Sequence, residues 1–185
     1  MKRRLLPVLV CFVLLPLARC VAQEIPEASR PTEHHEWLNK FVGDWDVVSG
    51  GAMGEDQPEM QGKASMHSSM LGGLWLVNAS EHDLNGQKLK SIQMIGFDTD
   101  KGKYVGIWAD SMVNHMWHYE GALNEAGNKL VLEAEGPSMQ GDGKMILYRD
   151  SYEFADDDTI IAVSEMQGPS GEWVQIMKGE AKRRK

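Results

Sequence analysis

Histidine is the residue type in this sequence with the most familiar metal-binding chemistry. His115 and His118 lie three residues apart, and His34-His35 forms a second pair nearer the N terminus. Neutral imidazole nitrogens are common zinc ligands. Residues i and i+3 of a strand point to opposite faces, so a regular strand over 114–122 cannot bring His115 and His118 to one ion. We therefore predict no metal site at these histidines.

Methionine thioethers suggest a second chemistry, the binding of copper(I). Met60, Met66 and Met70 share one parity of a predicted strand, and soft thioethers select Cu(I). Flexible methionine also fills irregular apolar interiors, which requires no metal. Filling is our main interpretation, copper binding is an alternative, and haem held by one histidine is a lesser one. We predict no cofactor.

Motifs for covalent catalysis do not occur in the sequence. It contains no G-x-S-x-G nucleophile elbow, and the carboxylates of Asp156-Asp157-Asp158 fall in a predicted turn, where charge runs are ordinarily solvated. We predict no catalytic residue. One enzyme hypothesis stays open, in which His115 or His118 acts with Asp110 as acid and base.

Large amphipathic side chains inside predicted strands are the better candidates for binding a ligand. We predict that Trp108, Tyr119, Tyr148 and Arg149 line the interior, since a buried arginine needs a carboxylate, a carbonyl or a bound anion. Tyr148 and Arg149 are adjacent, so only one of them faces inward on a regular strand. The alternative for Arg149 is an ion pair on the outer face with Glu165 or Asp150.

Short β segments must position these residues. Turn signals rich in Gly, Asn and Asp, such as Leu84-Asn85-Gly86-Gln87, separate segments rich in Val, Ile, Trp and Tyr. They predict strands near 44–49, 60–70, 73–82, 88–97, 103–110, 114–122, 129–135, 144–154, 159–167 and 172–182. About ten antiparallel strands in sequence indicate an up-and-down barrel, which leaves no open sheet edge. A filled sandwich is the alternative.

One short helix precedes the strands. Thr32 can cap it, Trp37, Leu38, Phe41 and Val42 fall on one side, and Gly43 can end it. We predict that this helix closes one end of the barrel, with Trp37 and Trp45 as structural plugs.

The N terminus predicts export. Lys2-Arg3-Arg4, an apolar run and Cys20-Val21-Ala22 follow the order of a secretory signal peptide. We predict a cleaved signal over 1–22, with cleavage after about Ala22, a flexible linker over 23–31 and a single barrel domain over 32–185. The run is shorter than a membrane-spanning helix needs, so we predict no stable membrane anchor. The expected location is periplasmic or extracellular.

Charge and cysteine content narrow the partners. Cleavage after Ala22 removes four of the 19 basic residues and none of the 27 acidic ones, which leaves 15 against 27, a net charge of −12. Such a surface repels nucleic acid. Both cysteines, Cys11 and Cys20, lie in the removed segment. The mature chain thus has no disulfide, and its stability must come from its core.

Several stretches, taken together, resemble one bacterial family. Gly43-Asp44-Trp45 after a short helix resembles the entry of lipocalin-like barrels. A second set of stretches comprises Gly72 to Val77, Gly96-Phe97-Asp98, Lys103 to Ser111, Gly136-Pro137, Tyr148-Arg149-Asp150, Gly168 to Glu172 and Lys182-Arg183. Through them the chain is similar to the uncharacterised domain-of-unknown-function family 1579 over most of residues 34 to 184. The resemblance implies the barrel and no activity. The commoner pattern has Arg-Phe where this chain has Leu74-Trp75.

Three functions remain open from the sequence. The barrel could bind a small, mostly apolar molecule inside, act as an enzyme of unknown reaction, or serve as an envelope structural or interaction protein with a filled core. We favour ligand binding. The sequence does not indicate the ligand or the oligomeric state.

Overall fold

Ten strands and one helix make up the part of the chain that the computed structural model describes, residues 30–52, 60–139 and 141–185. The elements are α1 (Glu33–Asn39), β1 (Gly43–Gly51), β2 (Met60–Leu71), β3 (Trp75–Leu84), β4 (Gln87–Asp98), β5 (Lys103–Asp110), β6 (Trp117–Leu123), β7 (Lys129–Pro137), β8 (Met145–Asp156), β9 (Thr159–Gln167) and β10 (Trp173–Arg183). The predicted signal peptide, 1–22, and nearly all of the linker, 23–31, lie outside the described residues.

The strands form one closed antiparallel barrel. Each strand pairs with its neighbours in sequence, and β1 pairs with β10 to close the sheet. The predicted up-and-down barrel is confirmed, and the alternative of a filled sandwich of two sheets is wrong. Closure pairs every strand on both sides, so no long sheet edge is left to template aggregation.

Hairpin turns follow the predicted residues closely. Asn85 (φ 50°) and Gly86 (φ 88°) both adopt positive φ between β3 and β4, as a two-residue turn of this type requires. At one connection the sequence prediction is wrong. The strand predicted from residue 114 begins at Trp117, and Asp110 accepts backbone N–H bonds from Met112 and Val113 that hold a loop before it.

The helix is shorter than predicted. Thr32 precedes it, and the His35 ring accepts the Thr32 backbone N–H at 2.9 Å. The helix ends at Asn39, residues 40–42 continue as a turn with i to i−3 hydrogen bonds, and Gly43 begins β1 rather than ending the helix. Val42, predicted to lie on the buried side, is exposed. No described helix has the length and apolarity required to cross a bilayer.

Aromatic residues close the barrel beneath the helix. Trp45 is fully buried, and its indole Nε1 donates to the Phe41 carbonyl at 2.7 Å. Trp37 is buried beside it and donates to the Gly127 carbonyl at 2.9 Å. The Arg183 guanidinium stacks on the Trp45 ring, 4.1 Å from its centroid. Both predicted plug residues thus lie at the helix end of the barrel. We call this the closed end and the opposite one the open end.

Candidate functional site

Strand alternation and register decide which side chains face the interior. Trp45, buried in the interior, is paired across the strands with Met66, which is paired with Ser80. Cross-strand partners share a face of the sheet. The neighbouring ladder, which also faces inward, therefore contains Ser68, Asn78, Gln93 and Trp108, one from each of β2, β3, β4 and β5.

A chain of hydrogen bonds crosses the interior from this ladder. Asn78 Nδ2 donates to Gln93 Oε1 at 2.9 Å, and Gln93 Nε2 donates to the Tyr152 hydroxyl at 2.8 Å. Asn78 and Gln93 are buried, whereas Tyr152 is half-buried. The chain joins β3 and β4 to β8 on the far side of the barrel. A buried polar network of this kind fixes the positions of its members.

A carboxylic acid extends this polar network. The Tyr119 hydroxyl donates to Asp150 Oδ2, and Ser164 also hydrogen-bonds to Asp150. Burial raises the pKa of Asp150 above its ordinary value. The pKa of Tyr119 is also well above its usual range, chiefly through burial and secondarily through the nearby Asp150. Burial thus disfavours the charged form of each group.

The hydrogen bond from Tyr119 to Asp150 determines which way the side-chain amides of Gln93 and Asn78 point. Since Tyr119 donates its proton to Asp150, the hydrogen bond that reaches Tyr119 from Gln93 must come from the amide nitrogen. Gln93 Oε1 then points to Asn78, which presents Nδ2. Asn78 Oδ1 is left with no hydrogen-bond donor among the described residues.

A second unpaired atom lies next to this one. Ser68 is the cross-strand partner of Asn78, and its buried hydroxyl likewise has no partner among the residues that the structure describes. Leaving a buried polar group unpaired costs about 1–3 kcal/mol. Two such groups on paired residues, within an otherwise hydrogen-bonded network, can form hydrogen bonds to a polar ligand group.

Several inward-facing residues are only partly buried. Asp150, Tyr152, Met66, Ser164 and Trp108 all keep accessible surface. The diameter of a barrel grows with its number of strands, and side chains can just fill the interior of an eight-stranded barrel. A ten-stranded barrel is wider.

A histidine lies near the open end of this interior. His82 Nε2 is 2.8 Å from the Ser91 hydroxyl, and the ring packs edge-on to Trp108. Burial lowers the pKa of His82, with Asp110 partly opposing the shift. The imidazole is thereby kept in its neutral form at neutral pH, able to accept or donate a hydrogen bond.

Exposed apolar side chains lie at one side of the open end. Met112, Val113, Met116 and Met139 are in the β5–β6 and β7–β8 connections, whereas Met145 and Leu147 are on the outer face at the start of β8. Exposed apolar groups beside a partly polar interior are suited to the entry of an amphipathic molecule.

Three of the four predicted ligand contacts face the interior. Trp108 is half-buried and donates through Nε1 to Asp110 Oδ2 at 2.9 Å. Tyr119 belongs to the polar network. Tyr148 is buried, and its hydroxyl donates to the Pro137 carbonyl at 2.7 Å.

Arg149 lies elsewhere. It is on the outer face, where Nε donates to Glu165 Oε2 at 2.8 Å and the guanidinium stacks 4.2 Å from the centre of the Trp173 ring. This is the outer ion pair that the sequence left as the alternative. We therefore leave Arg149 out of the interior site.

The histidines of the enzyme hypothesis lie apart from Asp110. His118 is paired with Ile107 on the outer face, and His115 Nε2 lies 3.2 Å from the Glu135 carbonyl oxygen. Asp110 is engaged by Trp108 and by two backbone N–H groups. The described residues include no cluster of three or more His, Cys, Asp or Glu side chains that could hold a metal ion.

A shallow groove of about 540 Å³ runs over the outside of β6 and β7. Its walls include Lys103, His118, Glu120, Glu133 and Glu135. Lys101 and Lys103 pair with Glu120 at 2.7 and 2.9 Å, and they lower the pKa of that carboxyl to about 2. These pairs are ordinary solvated surface contacts, and neither of the buried unpaired side-chain atoms of the described residues lies in this groove.

Sequence reasoning missed Ser68, Asn78, Gln93, His82 and Asp150. One signal was available, because polar residues occupy alternate positions of β3 from Asn78 to His82. That pattern does not say which face of the strand is inside. The register of the closed barrel decides it.

Comparison with known proteins supports the fold. Rv2717c from M. tuberculosis has a TM-score of 0.63 and 12% identity, covering 84% of this chain and 100% of that chain. The S-type phycobiliprotein lyase CPES from Guillardia theta has a TM-score of 0.58 and 13% identity, covering 85% and 96%. These similarities show a shared barrel. No curated protein sequence matches this chain significantly.

One family model matches the chain over residues 30–183. It is described as a protein of unknown function, DUF1579. The match spans most of the chain and confirms the resemblance noted in its motifs. This protein therefore belongs to the DUF1579 family.

Proposed function

We propose that this protein binds a small, mostly apolar molecule inside the barrel, entering at the open end. The unpaired Asn78 Oδ1, set in an otherwise hydrogen-bonded network, is the observation that carries the proposal. A filled structural core would be expected to satisfy this group or replace it with an apolar one. A ligand site retains such a group because the ligand supplies the partner.

The separation of apolar walls from polar groups within the interior supports the same proposal. Apolar residues such as Leu76 and Ile95 form walls near the closed end, and the polar network lies beside them. Small-molecule sites typically combine apolar walls with a few fixed polar groups. Because one barrel fold hosts many functions, the proposal depends on these residues and not on structural neighbours.

Native mass spectrometry tests this proposal directly. Protein purified without denaturation from cells that make the full chain is expected to show a fraction heavier than the bare polypeptide, and organic extraction should release the added mass. Heating in denaturant and refolding provides the control, since it should return the bare mass. A bare mass in every preparation, together with no uptake of added apolar probes, contradicts the proposal.

We further propose that the chain is exported and acts outside the cytoplasm. The N-terminal signal pattern and the acidic, cysteine-free remainder support this location. N-terminal sequencing of protein from fractionated cells is expected to begin at about Gln23. An intact Met1 in protein confined to the cytoplasm contradicts it.

A further inference from the structure

We propose that the interior site selects an uncharged, mostly apolar molecule that carries a hydroxyl group, and that this hydroxyl binds between Asn78 and Ser68. The inference rests on the proposed function and specifies the ligand class. It comes from the two buried polar atoms that have no partner in the described part of the chain and from the charges of the inner face.

The two unpaired atoms are complementary to one hydroxyl. Asn78 Oδ1 can only accept a hydrogen bond, whereas Ser68 Oγ can donate one. As cross-strand partners, the two residues have Cβ atoms about 5 Å apart. A single oxygen placed between them can donate its proton to Asn78 and accept one from Ser68. A hydroxyl group satisfies both atoms, while an ether or a hydrocarbon leaves the Asn78 acceptor unpaired.

Flexible side chains occupy the inward positions on either side of Ser68. Met66 and Met70 flank Ser68 on the inner face of β2, and both are half-buried, whereas Ser68 is 1% exposed. Methionine is unbranched and changes rotamer readily. Rotation of these two side chains is the route by which a ligand hydroxyl reaches the pair. This gives the methionines of β2 a role in ligand entry without a metal.

Charge on the inner face disfavours acids. Asp150 and Asp110 face inward, and every lysine within the described strands occupies an outer position: Lys63, Lys88, Lys90, Lys103, Lys129, Lys178 and Lys182. Arg183 is engaged at the closed end by the Val42 and Lys40 carbonyls and by Asp158. Among the described residues, a carboxylate ligand would therefore meet no free lysine or arginine inside, and its desolvation would be uncompensated.

Three matched probes test this selectivity on the purified full-length protein after its resident molecules have been extracted. Isothermal titration with 2-naphthol, naphthalene and 2-naphthoate at neutral pH compares hydroxyl, hydrogen and carboxylate on one apolar body. 2-Naphthol is expected to bind about threefold to tenfold more tightly than naphthalene, as one net hydrogen bond implies. 2-Naphthoate is expected to bind most weakly.

The Ser68→Ala variant tests whether the preference for 2-naphthol over naphthalene arises at Ser68. The variant is expected to narrow the ratio of naphthol to naphthalene affinity toward one and to leave the melting temperature unchanged or higher, because it removes an unpaired buried hydroxyl. Ser69→Ala, on the exposed side of the same strand, is the control and should keep the ratio. Equal binding of naphthol and naphthalene, or an unchanged ratio in Ser68→Ala, overturns this inference alone. Failure of all three probes to bind overturns the proposed function as well.

Discussion

Replacing Trp45 with alanine is expected to lower the free energy of unfolding by about 3–5 kcal/mol, the usual cost of truncating a large buried aromatic side chain. Trp45 is completely buried and joins the helix to the barrel through its hydrogen bond to the Phe41 carbonyl. Its ring also supports the Arg183 guanidinium, whose donors bind carbonyls on the helix side. Truncation leaves a cavity and removes the surface on which Arg183 is held.

Urea denaturation followed by far-ultraviolet circular dichroism measures this loss. Trp75→Ala is the matched control, because Trp75 lies on the outer face over Gly96 and is 38% exposed. The control should lose far less stability than Trp45→Ala. A loss below about 1 kcal/mol for Trp45→Ala would show that Trp45 is not a principal plug of the closed end.

Local chemistry in the sequence accounts for much of the barrel. The turn at Asn85-Gly86 requires positive φ, which few residues adopt readily, so these letters identify the hairpin without any tertiary information. Once the turns are placed, short strands joined in order would leave two unpaired edges in an open sheet, and closure into a barrel removes both edges. For this reason the fold was predictable although no activity was.

The interior site depends on contacts that are distant in sequence. Asn78 and Gln93 are 15 residues apart, Tyr119 and Asp150 are 31 apart, and Gln93 and Tyr152 are 59 apart. Their proximity follows from register around a closed sheet, which composition and periodicity do not specify. Arg149 illustrates the same limit, because the sequence showed that it or Tyr148 must face outward but not which.

The helix boundary and the start of β6 show a different limit. Hydrophobic spacing continued through Val42 and suggested a longer helix, yet residues 40–42 tighten into a turn that delivers Gly43 to β1. In a helix of only two turns, the helical preference of residues 40–42 is weak, and the contacts that close the end of the barrel outweigh it. At β6, the Asp110 carboxylate holds the preceding loop, a side-chain contact that a strand pattern cannot reveal.

Filling the interior near the open end is expected to weaken probe binding by about tenfold or more, since loss of one well-packed ligand contact of about 1.4 kcal/mol gives that factor. Ala64→Phe is the suitable change. Ala64 faces inward between Val47 and His82, its cross-strand partners, and all three are half-buried. A phenyl ring at this position projects into the space through which a ligand must pass or lie.

Titration of Ala64→Phe with 2-naphthol, beside a thermal melt, measures this effect. Ser65→Phe adds the same ring one residue later on the exposed outer face and should bind the probe as the original protein does. A folded Ala64→Phe variant that retains full affinity would place any naphthol site outside the barrel, and the outer groove over β6 and β7 would then be the place to look. Loss of affinity in Ala64→Phe alone instead ties binding to the interior, because the two variants differ only in the face of β2 that carries the ring.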